Sequence, residues 1–303
     1  MLPQPAEQAR MQAIHLRLFD GVKQAKLSVA MRVVMPLFQF QLTNPHQPEF
    51  VFSDERLAIR RFNEAEHLSD REIFSKRDRA YIDQARWALV VEANDLSQYK
   101  LDVNMLLMTF RILGDHLTPT IKYRLFDDDD LCDRLEETEM HIRLPGYKYE
   151  VYSSEDFPRI DEVYMMLRQA EHSCVRLKNA FYSLYRAFNS YHWIDSYLFY
   201  MMTLEALFSL DNKGPATQTI CDRVSKLLKS PKKWSPQRIR DLYDVRSRIA
   251  HGRLEARPKS IANLRLLKKM ERLIKLCFRK LIAKKSFPHF ATPSLRDHFL
   301  AQL

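Results

Sequence analysis

Apolar and polar positions follow different periods in the two halves of this chain. Toward the N-terminus, glutamines separate Phe38, Phe40 and Leu42, while Lys122 and Arg124 separate Ile121, Tyr123 and Leu125. That period of two predicts strands with one buried face. Arg86 to Glu92 forms a third candidate, a short apolar run ended by Asn94-Asp95, and Glu49–Phe52 and Leu57–Ile59 suggest two shorter strands. A leading helix over about 7 to 19 is expected because Met11, Ile14, Leu18 and Phe19 share one face.

From Pro158 onward the apolar spacing becomes helical. Ile160, Val163, Tyr164, Leu167 and Ala170 make one stripe, which continues through Leu177, Phe181, Leu184 and Phe188 to a break at Asn189-Ser190. A second helix covers about Trp193 to Leu210 and stops at Asp211-Asn-Lys-Gly214-Pro215. Ile220, Val224, Leu227 and Leu228 give a third, closed before Pro231. The fourth starts near Pro236, carries Ile239, Leu242, Tyr243 and Val245, and ends at His251-Gly252, where glycine suits the left-handed position after a helix. In the last, about Ser260 to Lys285, apolar Leu267, Met270, Ile274, Cys277 and Leu281 lie on one face. Arg265, Lys268, Arg272, Lys275 and Arg279 repeat a similar spacing on another.

These patterns predict an α+β protein: residues 1–150 as a mixed, partly β-rich domain, then residues 151–303 as an all-α bundle. A turn is expected at Leu144-Pro145-Gly146, and the acidic run Asp127–Asp130 lacks the glycine of a calcium loop, so it is taken as solvated.

Composition removes several functions. The five glycines are too scattered for a phosphate-cradling loop of the dinucleotide or Walker type. Four distant cysteines show neither metal-ligand nor redox spacing, which predicts reduced thiols and no disulfide framework. The first residues lack the apolar stretch of a signal peptide, and no apolar run reaches membrane-spanning length; a soluble, cytoplasmic protein without membrane contact is expected.

Charge sharpens the picture. From Lys213 to Lys285 there are 22 basic and five acidic residues, a local charge of +17, whereas the remainder holds 26 basic and 33 acidic residues, or −7. Such regional charge is what a polyanion-binding face requires, although a solvated surface would look similar. Inside this region stand Arg246 and His251, at the end of the fourth predicted helix. Their separation amounts to ~7.5 Å of rise and ~140° of rotation, so one chain does not stack the two side chains on one face. Two copies about a two-fold axis would bring them to a shared substrate.

Asp241-Leu-Tyr243-Asp-Val-Arg246-Ser247-Arg-Ile-Ala-His251-Gly252 resembles the Arg-x4-6-His signature of the HEPN superfamily, in its Apea-like branch. Thr203-Leu-Glu205-Ala-Leu-Phe208 and Asp222-Arg223-Val-Ser-Lys-Leu-Leu228 flank it as in that family, and the resemblance covers about Pro158 to Lys285. It implies a metal-independent endoribonuclease with no cofactor, Arg246 and His251 as its catalytic residues, and a homodimer through the helical domain. Ser247 stands where many active members carry Asn, Asp or His; serine is common in the Apea-like branch. Tyr243 and Ser247 belong to the signature as supporting residues. Glu205 and Arg223 are candidates for a polar pair orienting Arg246, though an ordinary helix-helix ion pair would account for them equally. Arg248, Arg253, Arg265, Lys268, Arg272 and Lys275 are the expected RNA contacts.

The residue types suit that chemistry. RNA carries its nucleophile in the 2′-hydroxyl, so cleavage needs proton transfer and positive charge on the phosphorane. Histidine titrates near neutrality, and arginine can fork onto two phosphate oxygens. Cellular roles consistent with such a nuclease are abortive infection, phage defence, or a toxin held by an antitoxin or other regulatory partner. The alternative is a non-catalytic HEPN module that binds RNA or protein.

Overall fold

The computed structural model describes residues 31–44, 46, 49–62, 82–93, 96–115, 118–121, 123–126, 132–134, 150–190, 192–209, 216–252 and 261–303. The expected helix over 7–19, the acidic run 127–130 and the turn at 144–146 lie outside these residues. The fold is α+β: an antiparallel sheet at the N-terminal side, followed by a run of helices.

Strands β1 (Met31–Phe38), β3 (Phe50–Val51), β4 (Leu57–Arg61), β5 (Trp87–Ala93), β7 (Tyr123–Phe126) and β8 (Cys132–Arg134) form one sheet in the order β3-β4-β5-β1-β7-β8. The short β6 (Thr120–Ile121) also pairs with β1. β1 is central, and its side chains alternate. Val33, Met35 and Leu37 enter the main core, while Val34 joins Ile82, Ala88 and Val90 in a small cluster. Pro36, which has no N–H to donate, sits where β1 changes partner on one side, from β7 opposite Val33 and Val34 to β6 opposite Leu37 and Phe38. The alternating stretch 38–42 is interrupted at Gln39, whose φ is +57°, and only β2 (Gln41–Leu42) resumes as strand, in parallel with β9 (Val151–Tyr152).

Helix α1 (Leu96–Leu113) packs against the sheet and was not anticipated from the sequence. The helices that follow are α2 (Asp156–Ser173), α3 (Val175–Asn189), α4 (Trp193–Phe208), α5 (Ala216–Leu228), α6 (Pro236–Ala250), α7 (Ile261–Ala283) and α8 (Pro293–Ala301), with a 3-10 turn at Phe287–Phe290. α2 and α3 are separate because Cys174 is extended between them, at φ −156° and ψ 129°. Among the described residues no helix is long and apolar enough to cross a membrane. Cys221 and Cys277 are buried free thiols, and Cys174 is half-buried and also free.

The main core is continuous from the sheet into the helices. Phe40 stacks on Tyr152 at 5.6 Å and meets Trp87 and Phe110 edge-on, while Phe50 stacks on Phe157 of α2 at 4.8 Å. Such ring pairs contribute about 0.5–1.5 kcal/mol each beyond their burial. Beside them lies an ionic cluster. Arg168 of α2 bonds Asp54 and, through Nε at 3.1 Å, Asp102 of α1; Arg56 adds a two-pronged contact to Asp54 at 2.8 and 2.9 Å.

Burial alone would raise the Asp54 carboxyl, but the hydrogen bond from Arg56 and the charges of Arg168 and Arg56 hold it below its ordinary 3.8. A depressed carboxyl contributes stability that is complete above the unfolded value and lost as pH falls through the folded one, so this cluster weakens below about pH 4. Arg168→Ala leaves Asp102, only 4% exposed at its side chain, without its Arg168 partner. The expected cost is about 3–5 kcal/mol at pH 7. Urea melts of both proteins at pH 7 and pH 3 check this; the gap between them should shrink in acid.

Candidate functional site

Helix α6 is built to be buried on one side only. Ser235 caps its start, accepting from the Arg238 N–H at 3.3 Å, with Pro236 in the first turn. Ile239, Leu242, Tyr243 and Val245 face the core, and the Tyr197 hydroxyl on α4 donates to the Leu242 carbonyl at 2.8 Å. At the other end the His251 N–H bonds the Ser247 carbonyl at 3.0 Å, and Gly252 follows at φ +65°. A Cβ on Gly252 would touch nothing within 4 Å, so glycine is required there for backbone conformation rather than for space.

Arg246, Ser247, Arg248 and His251 are all exposed. The divergence of Arg246 from His251 expected of a continuous helix holds, since α6 runs unbroken to Ala250. Behind Arg246 lie two buried or half-buried groups. Burial raises the carboxyl of Glu205, on α4, and the positive charge of Arg246 pulls it back. The Tyr243 phenol is raised chiefly by burial and further by Glu205, and among the described residues its hydroxyl has no hydrogen-bond partner. Glu205, Tyr243 and Arg246 therefore form one electrostatic group. The neighbouring Cys221 is pushed up to about 11 by burial, which keeps it a thiol and not a nucleophile at neutral pH.

Two sequence expectations change. Arg223 does not join Glu205: its guanidinium donates to the Phe208 carbonyl at 2.7 Å, and the negative charge that acts on it is that of Asp297 on α8. The last carbonyls of α4 have no partner within their own helix and take a donor from outside. Arg176 serves the same end, bonding the Ser209 hydroxyl at 2.8 Å and its carbonyl at 3.3 Å. Lys275 is not a solvent-facing cation either. It is 6% exposed, donates to the Gly114 carbonyl at 3.1 Å and pairs with Glu271 at 2.9 Å.

Arg265, Lys268 and Arg272 are exposed on α7, as a solvent-facing cation should be, and Arg253 lies outside the described residues. Arg111, which donates to the Phe188 carbonyl at 3.1 Å, and Arg279, which donates to the Ile112 and Leu113 carbonyls at 2.7 Å, serve helix ends as Arg176 does, and no sequence pattern marks these roles. Only the i,i+4 spacing of Glu271 and Lys275 hinted at an internal pair. Compared with known proteins, the chain matches no family model, no curated protein and no solved structure.

Tyr243→Phe removes a hydroxyl without a partner and should leave stability within about 0.5 kcal/mol of wild type or raise it, whereas Arg223→Ala should cost about 2 kcal/mol by stripping a carbonyl of its charged donor. Paired thermal and urea melts check this; a Tyr243→Phe protein as damaged as Arg223→Ala would show that the phenol has a partner after all.

Proposed function

We propose that this protein is a metal-independent endoribonuclease of HEPN type, working as a homodimer whose composite site is built from the end of α6. The observation that carries this reading is the exposure of His251. A histidine at a helix end is ordinarily a core or capping residue, but here the cap is made by its backbone N–H, and the imidazole stands in solvent beside the exposed Ser247 and Arg248. Its ring makes no hydrogen bond to any described residue, which leaves both nitrogens for substrate.

His251 moves the proton between the 2′-hydroxyl and the leaving 5′-oxygen, a role typically worth about 10²–10⁴-fold. Arg246 offsets charge on the phosphorane, and the Glu205 carboxylate behind it opposes drift of the guanidinium toward solvent. Because the two side chains diverge along one helix, a second copy related by a two-fold axis supplies the facing pair. Arg248 and Arg265 attract the strand. DNA, without the 2′-hydroxyl, is not cut. A nuclease of this kind suits abortive infection, phage defence or a toxin under the control of an antitoxin.

Cleavage of mixed RNAs in EDTA, with analysis of the ends, is the test. The expected products carry 2′,3′-cyclic phosphate and 5′-hydroxyl groups, and the particle in light scattering should be about twice the 36.0 kDa chain. His251→Ala and Arg246→Ala should each lose about 10²-fold or more while keeping the dimer. Activity undiminished in His251→Ala, or dependent on added magnesium, would exclude this mechanism and leave a module that binds RNA or protein without cutting.

A further inference from the structure

From Arg223 to Arg240 the chain carries seven basic residues and no acidic one. Arg223 is spent on the Phe208 carbonyl, but Lys226, Lys229, Lys232 and Lys233 are all exposed where α5 turns into α6. Among the described residues these four ammonium groups have no hydrogen-bond or ion-pair partner.

The turn that displays them is fixed. Leu227, Leu228 and Trp234 are buried on its inner side, the Ser230 carbonyl accepts the Lys233 and Trp234 N–H groups at 3.0 and 2.7 Å, and Ser235 then caps α6. Lys229 takes the left-handed conformation that ends a helix, at φ +48°. A backbone set in advance lowers the ordering cost of binding.

The chemistry of this patch selects its partner. Its large apolar side chains all face inward, and Trp234, its one aromatic ring, is buried. A protein interface centres on apolar and aromatic residues and is depleted in lysine, while a single-stranded polynucleotide needs rings on which its bases can stack. Lysines alone suffice for a phosphate backbone, and double-helical RNA is recognised through its shape and its phosphates. Position agrees with this. α6 separates the turn from His251 by 15 residues, or ~22 Å of rise, and Asp241 and Asp244 are exposed on it between them. A flexible strand following the helix would meet both carboxylates, whereas a stiff duplex held at the turn bridges them.

We propose that the α5–α6 turn anchors the phosphate backbone of double-helical RNA, apart from the cleavage site at the end of α6. The anchor rests on RNA as the substrate proposed above, and its test needs no cleavage. Full-length protein in EDTA is titrated with a 2′-O-methyl RNA hairpin, which has no free 2′-hydroxyl to attack and a stem of about 16 base pairs. Fluorescence anisotropy is read at several salt concentrations.

The double variant Lys232→Gln/Lys233→Gln should weaken binding and flatten the dependence of log K on log salt by roughly 0.9 per lost contact on a double helix, as should Lys226→Gln/Lys232→Gln. Lys178→Gln/Lys284→Gln, at two exposed lysines elsewhere, should leave both unchanged. A dinucleotide is too short to reach the turn, so Lys232→Gln/Lys233→Gln should cut it at the wild-type rate. Failure of every form to cut RNA would sink the nuclease reading and leave the hairpin titration to decide the anchor. An unchanged salt dependence in both turn variants overturns the proposal, as does an equal loss in Lys178→Gln/Lys284→Gln, which would mark general charge attraction. So does a single strand of the same length that binds as tightly through Lys232 and Lys233, or an acidic peptide that binds through them when the hairpin does not.

Discussion

The carbonyls left over at helix ends organise this molecule. The final turn of any α-helix presents acceptors that its own backbone cannot satisfy, and burying such an end demands donors from elsewhere. Three helix ends are served here by cationic side chains of other helices. Lys275 and Arg279 of α7 bond the end of α1; Arg111, near the end of α1, donates to the Phe188 carbonyl of α3 at 3.1 Å; Arg176 of α3 and Arg223 of α5 serve the end of α4. Each contact also sets a positive charge against the negative pole of a helix. Linked in this way, α7 fixes α1, α1 fixes α3, and α3 with α5 fixes α4, the helix on whose side α6 and its exposed Arg246 rest. Arg111 further lies over the Phe188 ring at 4.3 Å, so the same side chain serves packing and polarity together.

This arrangement explains why charge along the sequence overstates the charge available to a partner. The basic segment 213–285 looks uniform, yet Arg223, Lys275 and Arg279 are consumed inside the fold while Arg248, Arg265 and Arg272 remain outside. Lys268 and Lys275 belong to one helical stripe, and periodicity cannot tell them apart. What separates them is the end of α1, which lies opposite one and comes from more than 150 positions earlier in the chain.

The helices after residue 156 were largely legible because their apolar stripes are narrow and their ends carry strong signals, such as Ser235-Pro236 and Gly252. The break at Cys174 was not, since apolar residues continue across it. α1 stayed hidden for the opposite reason: Leu101, Val103, Met105, Leu106 and Leu107 surround it, so it shows no stripe, as befits a helix wedged between the sheet, α2 and α7. β1 was obscured by Pro36, whose tolerance depends on a change of strand partner that no local pattern records. At the candidate site the outward position of Arg246 and His251 followed from the inward apolar set of α6. The use of Arg223 did not, because an ion pair and a carbonyl cap demand the same residue type.

Strand pairing also sets a timetable for the growing chain. Gln41 must wait for Val151, and Val33 for Phe126, whereas α3 finds α4 as soon as the next helix is made. Contacts that close long loops form late, because the entropy of closure is spent before they return anything. Of the described strands, the central one is therefore made first and completed among the last. The side of Val33 to Leu37 that later meets β7 and β6 stays open during that interval, and an unpaired strand edge of this kind is where a growing chain misassembles.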